Sequence, residues 1–389
     1  MSFDHLQYPI KTLPNGDRLN LNAYRLTGSA PGPHVYIQAS VHGAEVQGNG
    51  VVYHLLDFFS KNEFRGSLTI IPTANPMSIN TKAGTFTQGR FNATSGNNWN
   101  RNYQNLEEYP EIFSPKAWLE SLNLAEETKG SIRKKFKHYL GESLKKLRAQ
   151  KSEYAISDDV KLNLTLQHLA SSADIVLDLH TGPKACRYLY AGEFEKEKVV
   201  DLPFPFTIII PNEFAGAMDE ATFMPWVILS RNLKAMNLEN LDAKSFEAYT
   251  VELGSEESLN MNEALRDAER ILSFLSKRGV LANDFHPTSS FEPQRAGFLK
   301  DYKTYFAPIG GLYEFTLKPG DHALKGQGLC KFLNFAPLEG AKELGGILEQ
   351  CLGEIKLLEE AHIINHSPSA VVSEGQALYQ VLEKTWSLK

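Results

Sequence analysis

Residues 34–47 read HVYIQASVHGAEVQ, and this stretch decides the fold class. His34 to Ala39 is a short run of strand-forming residues. From Glu45 to about Phe59 the apolar residues Val46, Val51, Leu55 and Phe58 recur at roughly helical spacing, so a strand passes into a helix at HGAE. Upstream, Leu19 to Tyr24 alternates apolar and polar residues behind an Asn15-Gly16 turn signal. Downstream, SLTIIP ends in a loop that begins Asn75-Pro76. Three further runs, ADIVLDLH (173–180), PFTIIIP (205–211) and EAYTVEL (247–253), have the short, wholly apolar character of strands buried on both faces. With helix-like segments between them, they predict an α/β sheet, at least partly parallel and flanked by helices.

The stretch from about 115 to 150 is rich in Lys, Glu and Leu and reads as a helical segment with a solvated surface, inside an insertion spanning about 106–170. After about Ala282 the texture changes. HPTSSFEPQRAG reads as a linker, and short β-type runs separated by Gly and Pro follow it. At 389 residues a single core has usually stopped growing, so the expected organisation is a catalytic domain over 1–285 and a small all-β domain over 286–389.

The second domain contains an internal repeat. PGDHALKGQGLCKF (319–332) lies over PSAVVSEGQALYQV (368–381) without a gap, matching Pro, Gly-Gln and Leu. Each copy resembles the half-barrel unit of biotinyl and lipoyl domains. In those carriers a modified lysine sits on the hairpin joining the halves. Here the join is the long stretch from about 337 to 361, read as a helical insertion, so the expectation is a β-barrel with the carrier's shape and without its function.

A formal net charge of -6, with no basic stretch interleaved with aromatics, gives no reason to expect nucleic acid as partner. The three cysteines, Cys186, Cys330 and Cys351, are widely spaced and form neither a CxxC pair nor a disulfide framework, which suits a reducing compartment. The N-terminus lacks the basic start and apolar run of a secretory signal, and no stretch approaches the ~20 apolar residues that span a bilayer. A cytoplasmic location without a membrane partner is the resulting expectation.

His42-Gly-Ala-Glu45 places an imidazole and a carboxylate three positions apart at a strand end, where both can converge on one ion. Asp178-Leu-His180 ends another apolar strand and supplies a third ligand, His180, at the edge where open α/β sheets bind their ligands. Two histidines and a glutamate with an open fourth position form a catalytic zinc arrangement. Asp178 lies two residues before His180, so on a strand both side chains share a face. It is either a carboxylate that orients the ligand or one hydrogen-bonded at a strand end. No GxSxG, P-loop or GxGxxG competes elsewhere.

HGAE after a strand, the Asn-Pro loop, Gly-Arg-Phe (89–91), Asn-Trp-Asn-Arg (98–101), Leu-Asp-Leu-His-Thr-Gly (177–182) and Val-Glu-Leu-Gly (251–254) occur in one order. Together they resemble the succinylglutamate desuccinylase/aspartoacylase family, a branch of the zinc carboxypeptidase fold that also carries a C-terminal β-barrel domain. The resemblance implies one zinc ion per chain on His42, Glu45 and His180. It makes Glu252 the general base that moves a proton from water to the leaving amine, and Arg90 the cation that stabilises the oxyanion. Asn100 and Arg101 become the pair that grips a substrate carboxylate. The sequence departs from the family's usual Asp-Leu-Asn-Arg by carrying Asn98 and Trp99, which bears on the support of His42.

The implied function is zinc-dependent hydrolysis of the amide of an N-acyl amino acid or a related small carboxylate-bearing amide. The alternatives are a zinc carboxypeptidase acting on C-terminal residues and a non-catalytic zinc-dependent carboxylate-binding protein. Self-association as a homo-oligomer is the base-rate expectation for an enzyme of this size. The segments TGPKACRYLYAG and EFAGAMDEATFMPW are candidates for lining a pocket. Phe214, Phe223 and Trp226 suit the core equally well, and Cys186 is read as a packed small residue rather than a nucleophile.

Overall fold

The computed structural model describes residues 2–242 and 246–388. Its centre is a mixed ten-stranded sheet in the order Ser2–Thr12, Arg18–Thr27, Arg65–Ile71, Ala30–Ala39, Ile175–Gly182, Glu247–Ser255, Arg187–Gly192, Phe206–Ile210, Arg295–Phe298, Trp386–Ser387. The four strands from Arg65–Ile71 to Glu247–Ser255 run parallel. Every residue of Ile175–Gly182 is buried, as expected of a largely apolar strand covered on both faces.

Alternation along Ala30–Ala39 divides the core. Val35, Ile37 and Ala39 pack with Val51 and Leu55 of the helix Gln47–Lys61 and with Ile271 and Leu275 of the helix Met261–Lys277. Tyr36 faces the opposite layer, where Phe136, Leu144 and Trp226 come from the helices Lys129–Lys151 and Met218–Ala235. Full burial of each such aliphatic or aromatic group contributes about 1.5–3 kcal/mol. The 106–170 region contributes the helices Pro115–Glu120, Lys129–Lys151 and Asp158–Ala170 to this layer. Phe223 and Trp226 are core residues of the same layer, with Phe214 packed against them.

Two expectations need correction. The central sheet does not end at residue 285, because Arg295–Phe298 joins it parallel to Phe206–Ile210 and Trp386–Ser387 adds the last strand. Both segments are too short and too rich in polar neighbours to stand out as strands in the sequence. The stretch 337–361 is not a helical insertion. It holds a 3-10 turn at Ala336–Leu338, a single helical turn at Ile347–Gln350 and the strand Leu352–Lys356. Gly340 and Gly346 adopt φ of 74° and 73°, a left-handed conformation that interrupts helix formation.

The C-terminal part forms two small sheets. One runs Tyr302–Phe306, Ala377–Leu382, Ala361–His366, His322–Ala323; the other runs Leu352–Lys356, Gly328–Leu333, Gly311–Phe315, Val371–Val372. The sequence repeat is structural: His322–Ala323 and Gly328–Leu333 recur as Val371–Val372 and Ala377–Leu382, with the same pairing pattern around each copy. The copies differ in what covers them. In the first sheet the cross-strand row Tyr302, Leu382, His362 and His322 sits toward the catalytic layer, with Leu382 in its core and the His362 ring 5.2 Å from that of Phe206. The equivalent row in the second sheet, Leu352, Leu333, Leu312 and Val371, is exposed. A further bond between the parts is the short strand Lys184–Ala185, which pairs with Asn365 and His366 just after the His180 strand ends.

Candidate active site

The strand order reverses between Ala30–Ala39 and Ile175–Gly182; His42 and Glu45 follow the C-terminal end of the first, and His180 lies near the C-terminal end of the second. The turn that carries His42 and Glu45 is held from three sides. Ser40 takes φ of 58° and its hydroxyl donates to Asn49 Oδ1 at 2.6 Å. Asn75 donates through Nδ2 to Val41 O and accepts from the Met77 and Ser78 amides, so the Asn-Pro loop clamps the turn. A Cβ on Gly43 would lie 2.3 Å from Ser78 O, so no larger residue fits between these segments. The Gly43 amide donates to Gly89 O at 3.1 Å, which brings the neighbouring Arg90 to the site.

His42, Glu45 and His180 are all buried, and one ligand atom from each lies within 4.8 Å of the others. Glu45 Oε1 is 2.8 Å from His42 Nδ1, Oε2 is 2.7 Å from His180 Nδ1, and Oε2 also accepts the Thr181 amide at 3.1 Å. The far nitrogens are engaged as well. His180 Nε2 lies 2.9 Å from Asp178 Oδ2, and His42 Nε2 lies 2.8 Å from Asn98 Oδ1. Each ring therefore donates Nε2–H to an oxygen and turns Nδ1 toward Glu45, so two imidazoles and a carboxylate could hold a divalent metal at one point. Asp178 is itself fixed by Gln38, whose Nε2 donates to Oδ1 at 2.8 Å.

Burial works against charge on Glu45, yet His42 and His180 hold its carboxyl well below the usual range. Burial likewise opposes a charged His180, and the Asp178 and Glu45 carboxylates overcome it and raise that ring well above the usual imidazole range. A cluster that attracts positive charge this strongly suits a cation between the three side chains.

Glu252 is the direct cross-strand neighbour of His180 on one side and of Tyr188 on the other. Burial first, then Glu45 and Asp178, push its carboxyl up to about 7 against the opposing pull of His180 and Arg90. Its Oε2 is buried without a hydrogen-bond partner. Arg90, half exposed, reaches Glu45 Oε1 with Nη1 at 3.2 Å. Arg101 is exposed, donates to Asn100 O at 2.7 Å and forms no ion pair among the described residues. Asn100 Nδ2 lies 3.2 Å from His180 Nε2, whose single proton already goes to Asp178, and Asn100 Oδ1 accepts from the Met218 amide at 3.3 Å. The Asn100 NH2 group is thereby left to face the cavity.

His42, Glu45, His180, Glu252, Arg90, Asn100 and Arg101 line one cavity of about 530 Å³, while Asp178 and Asn98 lie behind it. Tyr188 and Tyr190, from the TGPKACRYLYAG segment, and Asp219, from EFAGAMDEATFMPW, line it as those segments were expected to, whereas Thr250 and the C-terminal wall were not assigned from sequence. Tyr302, Thr304, Asn365 and Gln380 come from the C-terminal part. Asn365 Nδ2 donates to both Tyr302 OH (2.9 Å) and Gln380 Oε1 (2.8 Å), and Tyr302 OH donates to Gln380 at 3.0 Å, so this wall is internally braced. Nothing in the sequence spacing links these residues to His42, because only the tertiary fold brings the parts together. Cys186 stands apart from this chemistry, with burial pushing its thiol up to about 12.

A family model for the succinylglutamate desuccinylase/aspartoacylase catalytic domain matches residues 31–278. Two solved structures assigned to that family are similar over the full length. One, from Shewanella frigidimarina NCIMB 400, is 35% identical with a TM-score of 0.89, covering 100% of this sequence and 99% of its own. The other, from Shewanella amazonensis SB2B, is 37% identical with a TM-score of 0.88, covering 99% and 100%. The product-bound ectoine utilization protein EutE (DoeB) from Ruegeria pomeroyi shares the fold at 15% identity, with a TM-score of 0.64 over 98% of this sequence and 95% of its own. No curated protein matches the sequence. No helix among the described residues is long and apolar enough to cross a membrane. By the family match over most of its length and by its full-length relatives, this protein belongs to the succinylglutamate desuccinylase/aspartoacylase family of hydrolases.

Proposed function

We propose that the protein is a zinc-dependent hydrolase that cleaves the amide of an N-acyl amino acid or a related small carboxylate-bearing amide. The observation that carries this reading is the direct pairing of Glu252 with His180 beside the buried His42, Glu45, His180 cluster. One zinc ion would be held by those three side chains. When bound, it supplies the Lewis acidity that makes water acidic near neutral pH.

The protein's own residues do the rest. Asp178 and Asn98 accept Nε2–H from His180 and His42 and keep both Nδ1 atoms directed inward. Glu252, its carboxyl raised to about 7, takes a proton from the attacking water and delivers it to the leaving amine nitrogen. Arg90 lies at the cluster's edge, where its permanent charge stabilises the negative carbonyl oxygen of the tetrahedral intermediate. Arg101, which pairs with no carboxylate among the described residues, and the Asn100 amide hold the substrate's carboxylate.

The C-terminal wall of Tyr302, Asn365 and Gln380 supports small amides over polypeptides as substrates, because it occupies one side of the cavity. The duplicated strand pattern of that region supports its reading as a barrel of the biotinyl/lipoyl shape.

The test is metal content of the purified protein together with chelation and re-addition of zinc in assays against a panel of N-acyl amino acids. One zinc per protomer with deacylation restored by zinc supports the reading. Absence of metal uptake would overturn the cluster assignment, and progressive trimming of C-terminal residues from a peptide library would replace deacylation with peptidase activity.

A further inference from the structure

The cavity holds one carboxylate that this chemistry does not use. Glu45 is engaged by His42 and His180, and Glu252 is the base. Glu220 accepts from the Ala215 and Ala217 amides at 2.6 and 3.1 Å, closing the loop before the helix Met218–Ala235. Asp219 remains. It is only 3% exposed, lines the cavity, and pairs with no cation among the described residues. Its Oδ1 accepts the Glu220 amide at 2.9 Å.

Beside it stands Thr250, 6% exposed and also lining the cavity. Its hydroxyl interacts with the Asp219 carboxyl, and among the described residues Oγ1 has no partner within full hydrogen-bond geometry. A buried carboxylate and a buried hydroxyl thus stand together at one spot with no cation beside them among the described residues, an arrangement that costs free energy unless a ligand supplies a charged donor. Thr250 is two residues before Glu252 on the same strand, so both side chains are on one face.

The spot is also beside the carboxylate-binding pair. The Met218 amide donates to Asn100 Oδ1 at 3.3 Å, and a Cβ on Gly216 would lie 2.5 Å from Arg101 O. Gly216 has φ of 100°, so only glycine lets the 215–219 segment lie this close to residues 100–101. Arg101 and Asp219 are each the next residue after one of these contacts. A cation and a carboxylate on adjoining segments that line one cavity match the two charges of a free α-amino acid head group.

We propose that Asp219, assisted by Thr250, binds an ammonium group adjacent to the carboxylate held by Arg101, so that the preferred substrates are α-amino acids acylated on a side-chain amine rather than on the α-nitrogen. This rests on the deacylase reading above. The reaction is ordinary hydrolysis: water adds to the acyl carbonyl carbon, the amide bond between that carbon and the side-chain nitrogen breaks, that nitrogen takes up a proton, and the products are a carboxylate and a diamino acid. Burial and the neighbouring Glu220 push the empty Asp219 carboxyl up to about 7, and an ammonium ion against it would hold it ionised.

The experiment compares Nα-acetyl and Nω-acetyl isomers of L-ornithine and L-lysine as substrates of the zinc-replete enzyme. Calorimetry in parallel compares binding of L-ornithine with 5-aminopentanoate, which keeps the carboxylate and lacks the α-ammonium. The ω-acetyl isomers should be preferred by about 30-fold or more in kcat/KM. Asp219→Asn, whose Oδ1 can still accept from the Glu220 amide, should abolish that preference and the binding difference together. Thr250→Val, which leaves the helix untouched, should weaken both. Turnover with equal use of the two isomers, or a preference that survives Asp219→Asn, overturns this inference and leaves the deacylase reading standing. Asp219-dependent binding of ornithine with no turnover of any N-acyl substrate upholds the ammonium site and overturns the deacylase reading instead.

Discussion

Replacing Glu252 by Gln should make the protein nearly inactive and, without metal, more stable. A positioned general base contributes about 10² to 10⁴ in rate, so kcat should fall by that factor while zinc stoichiometry stays unchanged. The stability effect comes from burial. A carboxyl raised from 4.5 to about 7 costs about 3 kcal/mol once it must ionise in the fold. Below pH ~4.5 the group is protonated in both the folded and the unfolded protein, and the variant should match the parent. Between 4.5 and about 7 the unfolded protein gives up its proton while the fold retains it, so parental stability falls as pH rises through that window. Above it the full cost is present and glutamine removes it. With an unfolding entropy of about 2.1 cal/mol/K per residue over 389 residues, 3 kcal/mol corresponds to a rise in Tm of roughly 4 °C at pH 8. Differential scanning calorimetry of chelator-treated protein at pH 4.5 and pH 8 reads this directly. Activity within tenfold of the parent would remove Glu252 from proton transfer, and an equal Tm shift at both pH values would refute the account of its burial.

Asn98→Ala should weaken zinc binding by about 10- to 100-fold through loss of the His42 Nε2–H acceptor, and Asn98→Asp should strengthen it; competition with a chromophoric chelator measures both. Gly216→Ala forces a left-handed conformation costing about 1–2 kcal/mol and pushes a methyl into Arg101 O, so KM should rise for carboxylate-bearing substrates with less change for their amides. Arg101→Ala should produce the same selectivity of effect, and an equal loss with both substrate types would reject the clamp. Phe59→Ala, in the core beneath the Gln47–Lys61 helix, should cost about 3–5 kcal/mol by denaturation while leaving zinc stoichiometry at one per protomer.

The sequence by itself determined the elements whose logic is local. Predominantly apolar runs such as ADIVLDLH specify buried strands, because a strand covered on both faces carries polar residues only where they find partners, as Asp178 and His180 do here. The spacing in HGAE and DLH was enough to nominate His42, Glu45 and His180, since strand ends and short turns fix relative direction within a few residues. The repeat was legible as well, because the same turn and strand recur at a constant offset. Tertiary structure decided what depends on register and packing between distant segments. The acceptance of His42 Nε2–H by Asn98, the pairing of Glu252 with His180, and the Tyr302, Gln380 and Asn365 wall all join residues far apart in the sequence. The helix expected over 337–361 gave way to a strand because cross-strand pairing with Gly328–Leu333 and left-handed glycines outweighed the helical propensity of its residues. The position of Asp219 is of the same kind: a carboxylate early in a helix looks ordinary in sequence, and only the fold shows that it is buried in the cavity wall with no cation paired to it among the described residues.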